Sequence, residues 1–343
     1  MPSVALSIGL LAPPWVAVPP PAYGGTESVV DQLARGLTSA GHRVTLFATG
    51  DSTAPVPTAY ALVEAAGDRM GLAEIELRHV MHGYEALAGC DVVHDHTLVG
   101  PAWALAAGHD RVVTTCHGPL EGDLRHIYRC YGKRLPVVAI SNDQAARAPD
   151  ITVDRVIHHG IDPEQFPVGQ GEGGYLLFLG RMTPEKGARE AVHIARAAGR
   201  PLLIAAKMRE PAERAYFTEQ VEPLLGGDVV YVGEPAIRHK LELLGAATAL
   251  LNPIRWPEPF GLVMVEALAC GTPVVTCPIG AAPEIVTDGT TGFLRMDIGA
   301  LVAAVHRIDE IDRAVCRETV TQRFSTSRMV ADHLDLYLDA VSR

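Results

Sequence analysis

The chain has 343 residues, of which 48% are hydrophobic and 20% charged, with a formal net charge of −11. That length exceeds one ordinary core and fits two domains, and that mix excludes a disordered chain. The acidic balance excludes nucleic acid as a natural partner, because phosphate-backbone binding needs a basic face.

Only four of the 29 basic residues are lysines (133, 186, 207 and 240), so each lysine invites its own question. The six cysteines are scattered and form no CxxC pair, as expected of small buried residues in a reducing compartment. No secretory signal pattern opens the sequence, and no apolar run reaches the ~18 residues that span a bilayer. A cytoplasmic location is the expectation.

Taken in chain order, VALSIGLLA (4–12), VTLFAT (44–49), DVVHDH (91–96), RVVTTCH (111–117) and PVVAIS (136–141) read as buried parallel strands. Between the first two, Val29, Val30, Leu33 and Leu37 recur at helical spacing, and Gly41 ends that helix. AYGGTESVV (22–30) sets Gly24 and Gly25 before the helix, with Thr26 as its cap. The result is a backbone N–H cradle without the GxGxxG fingerprint of a dinucleotide site. The preceding APPWVAVPPPAY reads as a stiff loop.

His94, Asp95 and His96 have the residue types of a metal trio, but strand alternation sends Asp95 to the opposite face, and no metal is expected. His117 ends a strand ahead of Gly118, where a histidine hydrogen-bonds a substrate hydroxyl or simply finishes the strand. DLRHIYRCYGKR (123–134) reads as a solvated basic helix face, with contact to anionic lipid as the alternative.

A breaker-rich segment, PVGQGEGG (167–174), reads as a linker between domains at 1–166 and 175–326. The strand pattern then restarts with YLLFLG (175–180), PLLIAA (201–206), DVVYVG (228–233), ATALLNP (247–253) and TPVVTCP (272–278). The fold class is therefore α/β, with two Rossmann-like doubly wound domains facing a cleft. Ligands of such sheets bind beyond the carboxyl ends of the strands. There, FLGRMTPEKG (178–187) places Arg181 and Lys186 on one loop, a fork and a point charge suited to a diphosphate. Lys207 and Gly233 end the next two strands and are expected at the nucleotide.

The run WPEPFGLVMVEALACGTPVV (256–275) carries the sharpest signal. Its prolines disfavour helix up to Phe260, and Gly271 ends the helix that follows. The N–H groups of Phe260, Gly261 and Leu262 then favour an anion. Glu266 lies roughly 7–8 Å along the axis, about the reach from a diphosphate to its ribose. A carboxylate inside VMVEALA needs donors, which a sugar diol supplies; the competing account is a structural arginine. Glu258 would reach hydroxyls beyond the phosphates. SRMVADHLDLYLDAV (327–341) reads as a terminal helix packing back on the N-terminal domain.

Together these features resemble family 4 of the retaining glycosyltransferases, which have the GT-B fold. The resemblance rests on Gly24-Gly25, His117-Gly118, VVAIS, HHGID (158–162), GRMTPEKG, the Glu258 to Glu266 spacing and GAAPEIVTDGTTGFL (280–294). It implies that Arg181 and Lys186 neutralise a diphosphate leaving group and that Glu266 binds its ribose. Glu258 and the Phe260–Leu262 backbone would hold the donor sugar, with His117 near the reacting centre and Gly24-Gly25 against the diphosphate. It also implies no metal or other cofactor, a nucleotide-sugar donor, and a small-molecule or glycan acceptor. The short chain and its YGGTE opening resemble actinobacterial members, pointing to antibiotic or other glycoconjugate assembly. A nucleotide-sugar epimerase or hydrolase, or a non-catalytic nucleotide-sugar binder, are the alternatives. The chain departs from the family pattern at His159 and in IAAKMRE (204–210), which lacks a glycine-rich turn and leaves the nucleotide base open.

Overall fold

Runs such as LLF (176–178) and LLIAA (202–206) are apolar at every position rather than every second one, the pattern of strands covered by helices on both faces. In the structure, a computed structural model that describes residues 5–342, they form two wholly parallel sheets. The chain divides into two units, one running to Gly160 and resuming at Thr326, the other spanning Ile161–Ser325.

The first unit holds β1 (Ser7–Leu11), β2 (Arg43–Ala48), β3 (Thr58–Tyr60), β4 (Val92–Asp95), β5 (Val112–Thr115), β6 (Val137–Ala139) and β7 (Arg155–Val156). Their order is β3-β2-β1-β4-β5-β6-β7. The register sets Ile8 beside Val44 on one side and Val92 on the other, so the sheet centre is dry. The second unit holds β8 (Leu176–Arg181), β9 (Leu202–Lys207), β10 (Val229–Gly233), β11 (Ala249–Asn252), β12 (Val274–Thr276) and β13 (Gly292–Leu294). Their order is β10-β9-β8-β11-β12-β13. In both sheets the winding reverses at one point, between β1 and β4 and between β8 and β11. The loops after those strands flank the crevice where such sheets take ligands.

Val29, Val30, Leu33 and Leu37 are all buried on the helix Gly25–Ser39, and Gly41 turns left-handed at φ 91° just past its end. The helix Thr326–Ser342 buries Met329, Val330, His333, Leu336, Tyr337 and Ala340 within the first unit.

Three expectations need correction. The unit boundary falls between Gly160 and Ile161, with the return at 325–326, rather than in the breaker-rich 167–174 segment. That segment is stitched into the second unit by Gly169 N–H to Cys270 O (3.0 Å), Gly171 N–H to Gly245 O (3.1 Å) and Gly173 N–H to Ala246 O (2.9 Å). Its glycines serve close backbone approach, not flexibility. Thr26 is no cap, because the helix starts one residue before it and Gly24 takes the cap position without any side-chain bond. The helix expected from Phe260 runs Leu262–Ala269, and Phe260 instead buries its ring against Phe324 with centroids 6.1 Å apart. The strands β3, β7 and β13 escaped the sequence reading because each combines a length of two or three residues with a place at the edge of its sheet.

Candidate active site

In the second unit the chemistry gathers at the switch point. Strand β8 ends on Arg181, and Lys186 follows in the short turn Pro184–Lys186. Gly187 closes that turn at φ 80° and opens the helix Ala188–Ala197. A side chain there would strike the carbonyl of Pro253, in the loop after β11. The two loops are thereby pressed together, and Lys186 meets Glu258 in a buried ion pair. The Lys186 ammonium also sits 5.6 Å from the Trp256 ring centroid. Three buried polar atoms on these same loops have no hydrogen-bond partner among the described residues: Glu258 Oε2, Trp256 Nε1 and Thr183 Oγ1. Unsatisfied groups on the loops that carry a buried ion pair are what a polar ligand would complete.

Gly261 caps the next helix in the left-handed region at φ 101°, a conformation that admits glycine readily. Glu266 lies one turn into that helix and accepts from Lys240 Nζ at 2.7 Å. Its partner in this structure is thus a lysine on the helix Ile237–Ala246, not the arginine that the competing account named. Lys240 was absent from the expected site; its rarity as one of four lysines was the available signal. Arg181 lies 3.6 Å from Glu185. Lys207 lies 2.9 Å from Glu210 and 3.6 Å from Glu213, so local carboxylates already hold the cation expected at the nucleotide. Gly233 ends the edge strand β10 at φ 81°.

In the first unit, β4 and β5 deliver a histidine cluster. His94 and His96 share a face with ring centroids 4.0 Å apart, while Asp95 turns away and accepts from Tyr84 Oη (2.7 Å) and Thr97 Oγ1 (2.7 Å). His117 shares a 2.9 Å hydrogen bond with His96 and stacks at 5.2 Å on His159. His333 joins through His94 at 5.1 Å. Burial disfavours the imidazolium throughout, lowering His117 to about 3 and His333 to about 4, and taking His94, His96 and His159 well below the ordinary value. These rings are neutral at physiological pH. Among the described residues, no group of three or more His, Cys, Asp or Glu side chains is arranged to hold a metal ion.

Two residues that sequence reasoning missed support this region. Glu27 is buried in the first helical turn after Gly24-Gly25, and desolvation raises its carboxyl to about 7. The acid in GGTE was its only sequence signal. Gln144, in the helix that Ser141 caps, spans the turn around His117. Its amide donates to Cys116 O (3.0 Å) and Gly118 O (2.6 Å) and accepts from Ile140 N (2.7 Å). Gln144→Leu orphans these groups, so the unfolding free energy should fall by about 1–3 kcal/mol in urea titration. An unchanged midpoint would mean that this amide does not hold the turn.

A family model described as Glycosyltransferase Family 4 matches residues 23–165, and one for glycosyl transferases group 1 matches residues 173–310. With the two parallel sheets, these matches define the class: the chain is a glycosyltransferase with the GT-B fold. Within that class it is 29% identical to a glycogen synthase of Mycobacterium tuberculosis, over 94% of this chain and 92% of that protein. It superposes on AviGT4, a glycosyltransferase involved in avilamycin A biosynthesis, with a TM-score of 0.75 and 25% identity over 98% of both chains. It matches the fold of Anabaena HepE, solved in complex with UDP-glucose, with a TM-score of 0.74 and 19% identity over 96% of this chain and 100% of that one. Among the described residues, no helix is long and apolar enough to cross a membrane.

Proposed function

We propose that the protein transfers a glycosyl group from a nucleotide-diphosphate sugar to a small-molecule or glycan acceptor, with retention of anomeric configuration and without a metal. The observation that carries this reading is the Lys186–Glu258 ion pair at the second unit's switch point, on two loops that also hold three unsatisfied buried polar atoms. An incoming diphosphate competes for Lys186 and Arg181. Glu258 is then released to accept from sugar hydroxyls beside the capped helix start at Gly261. Glu266, with Lys240 beside it, is assigned to the ribose. Lys207 and Gly233 are assigned to the nucleotide. On the first unit, Gly24-Gly25 is assigned to the diphosphate and His117 to the transferred sugar.

The transition state is oxocarbenium-like, with negative charge growing on the departing diphosphate. Fixed cations and N–H donors oppose that charge, which is the largest single effect available to such a site. The acceptor attacks on the leaving-group side, and a diphosphate oxygen takes its proton. Two of the similar proteins, from avilamycin A biosynthesis and a UDP-glucose complex, support a donor of this kind and an acceptor in antibiotic or glycoconjugate assembly.

A thermal-shift panel of nucleoside diphosphates and their sugars, run with a chelator, tests the donor site. A ligand at ~100 times its dissociation constant adds about 2.7 kcal/mol of stability, a clear rise in Tm. No shift with any base series would remove the diphosphate assignment. The anomeric configuration of the product, read by NMR, tests retention, and inversion would overturn it.

A further inference from the structure

His117 makes one hydrogen bond among the described residues, through Nε2, to Nδ1 of His96. The His117 ring is half-buried and its Nδ1 edge carries no protein partner. The His96 ring is buried, and its own Nε2 has no partner among the described residues. One proton lies between the two rings, and its owner decides what each outer nitrogen presents. If His117 owned it, His96 would carry its proton on the sealed Nε2, an orphaned buried N–H of a kind folded proteins rarely tolerate. If His96 owns it, the sealed Nε2 is a bare lone pair and His117 carries its proton outward on Nδ1.

We propose that His96 is a positioning residue for the transfer: its Nδ1–H donates to His117 Nε2 and so fixes His117 as the tautomer whose outward Nδ1–H donates to an oxygen of the transferred sugar. This rests on the reading of His117 as a donor-sugar contact. Neighbours hold the arrangement. His94 bonds Tyr337 Oη and Thr115 Oγ1, each at 2.7 Å, and packs on His96, while His159 stacks on His117. Because burial keeps both rings neutral, the choice is between tautomers and not between charge states. With the opposite tautomer, His117 would present a lone pair, which repels an ether or phosphate oxygen and takes a hydroxyl only as acceptor.

The test uses protein labelled with 15N-histidine. Long-range 1H–15N correlation separates the tautomers, and His117→Gln assigns the His117 signals by their loss. The wild type should show His117 protonated on Nδ1. His96→Asn retains an N–H donor near the Nδ1 position and should keep both the tautomer and the turnover of the best donor in a UDP-, ADP- and GDP-glucose panel. His96→Leu should move the proton to Nε2 and lower kcat at least tenfold, with little change in KM. Protonation on Nε2 in the wild type, or an unmoved proton in His96→Leu, overturns the proposal, and both are read without any assay of transfer. Undiminished turnover in His117→Gln overturns instead the donor-contact reading on which the proposal rests.

Discussion

Lys186→Ala should lower turnover by about 10²–10³-fold, the usual cost of losing one preorganised donor to a developing anion. The same change should also destabilise the second unit. Lys186 and Glu258 are both buried, at 8% and 12% side-chain exposure, so deleting the lysine strands a desolvated carboxylate at about 3–5 kcal/mol. A second substitution separates these two losses. Lys186→Ala with Glu258→Gln removes the stranded charge and should recover much of the stability, while turnover stays low. If turnover returned with stability, the lysine would be a structural counter-ion and the diphosphate assignment would fall. Near-normal turnover in the single variant would have the same meaning.

Acidification should unfold the first unit before the second. Burial holds His79 and His333 at about 4, His117 at about 3, and His94, His96 and His159 well below the ordinary value. The unfolded chain binds protons at these six histidines below its pKa of about 6.5, whereas the folded chain does not. Folding therefore loses stability as pH falls from about 6.5 toward 4. Three buried carboxyls work in the opposite direction. Asp95 and Glu27 are raised to about 7 and Glu76 is raised as well, so the folded state takes up protons there first, and their contribution is lost as pH rises. Six histidines against three carboxyls leave the excess of bound protons on the unfolded side, so stability falls as the solution is acidified. All nine groups lie in the first unit. Hydrogen exchange between pH 6.5 and 5 should show β1, β4 and β5 losing protection while β8 and β11 keep theirs. Equal loss in both units would contradict this account.

Much of the fold was legible because its signals are local. A short run rich in Val, Leu and Ile, bounded by turn residues, needs only its own composition to be read as a buried parallel strand, and ten strands were read in that way. The short edge strands β3 and β7 take their extended form from a neighbour, which composition does not register. The candidate site divides the same way. Arg181, Lys186, Glu258 and Glu266 stood out because charge is unexpected at strand ends and within an apolar helix. Their partnerships did not, because Lys186 and Glu258 are 72 positions apart and Lys240 and Glu266 are 26 apart. Likewise the sequence pairs His94 with His96 by alternation, but only the register of β4 on β5 brings His117 to them. The glycines of 167–174 misled for a related reason: glycine marks both slack and tight backbone contact, and only the backbone it faces, here the C-terminal ends of two helices, distinguishes them.

The helix Thr326–Ser342 has a consequence for how the protein is made. The first unit begins the chain, yet its interior includes Tyr337, whose hydroxyl bonds His94 at 2.7 Å. During synthesis the seven-stranded sheet is translated first but must wait, with the apolar flank of Gly25–Ser39 uncovered, until the whole second unit has followed it. At ~5–20 residues per second that wait lasts roughly 10–30 s. The later-made half can therefore finish folding first, a reversal of the usual vectorial order, and the early half is the natural client for a chaperone at the ribosome.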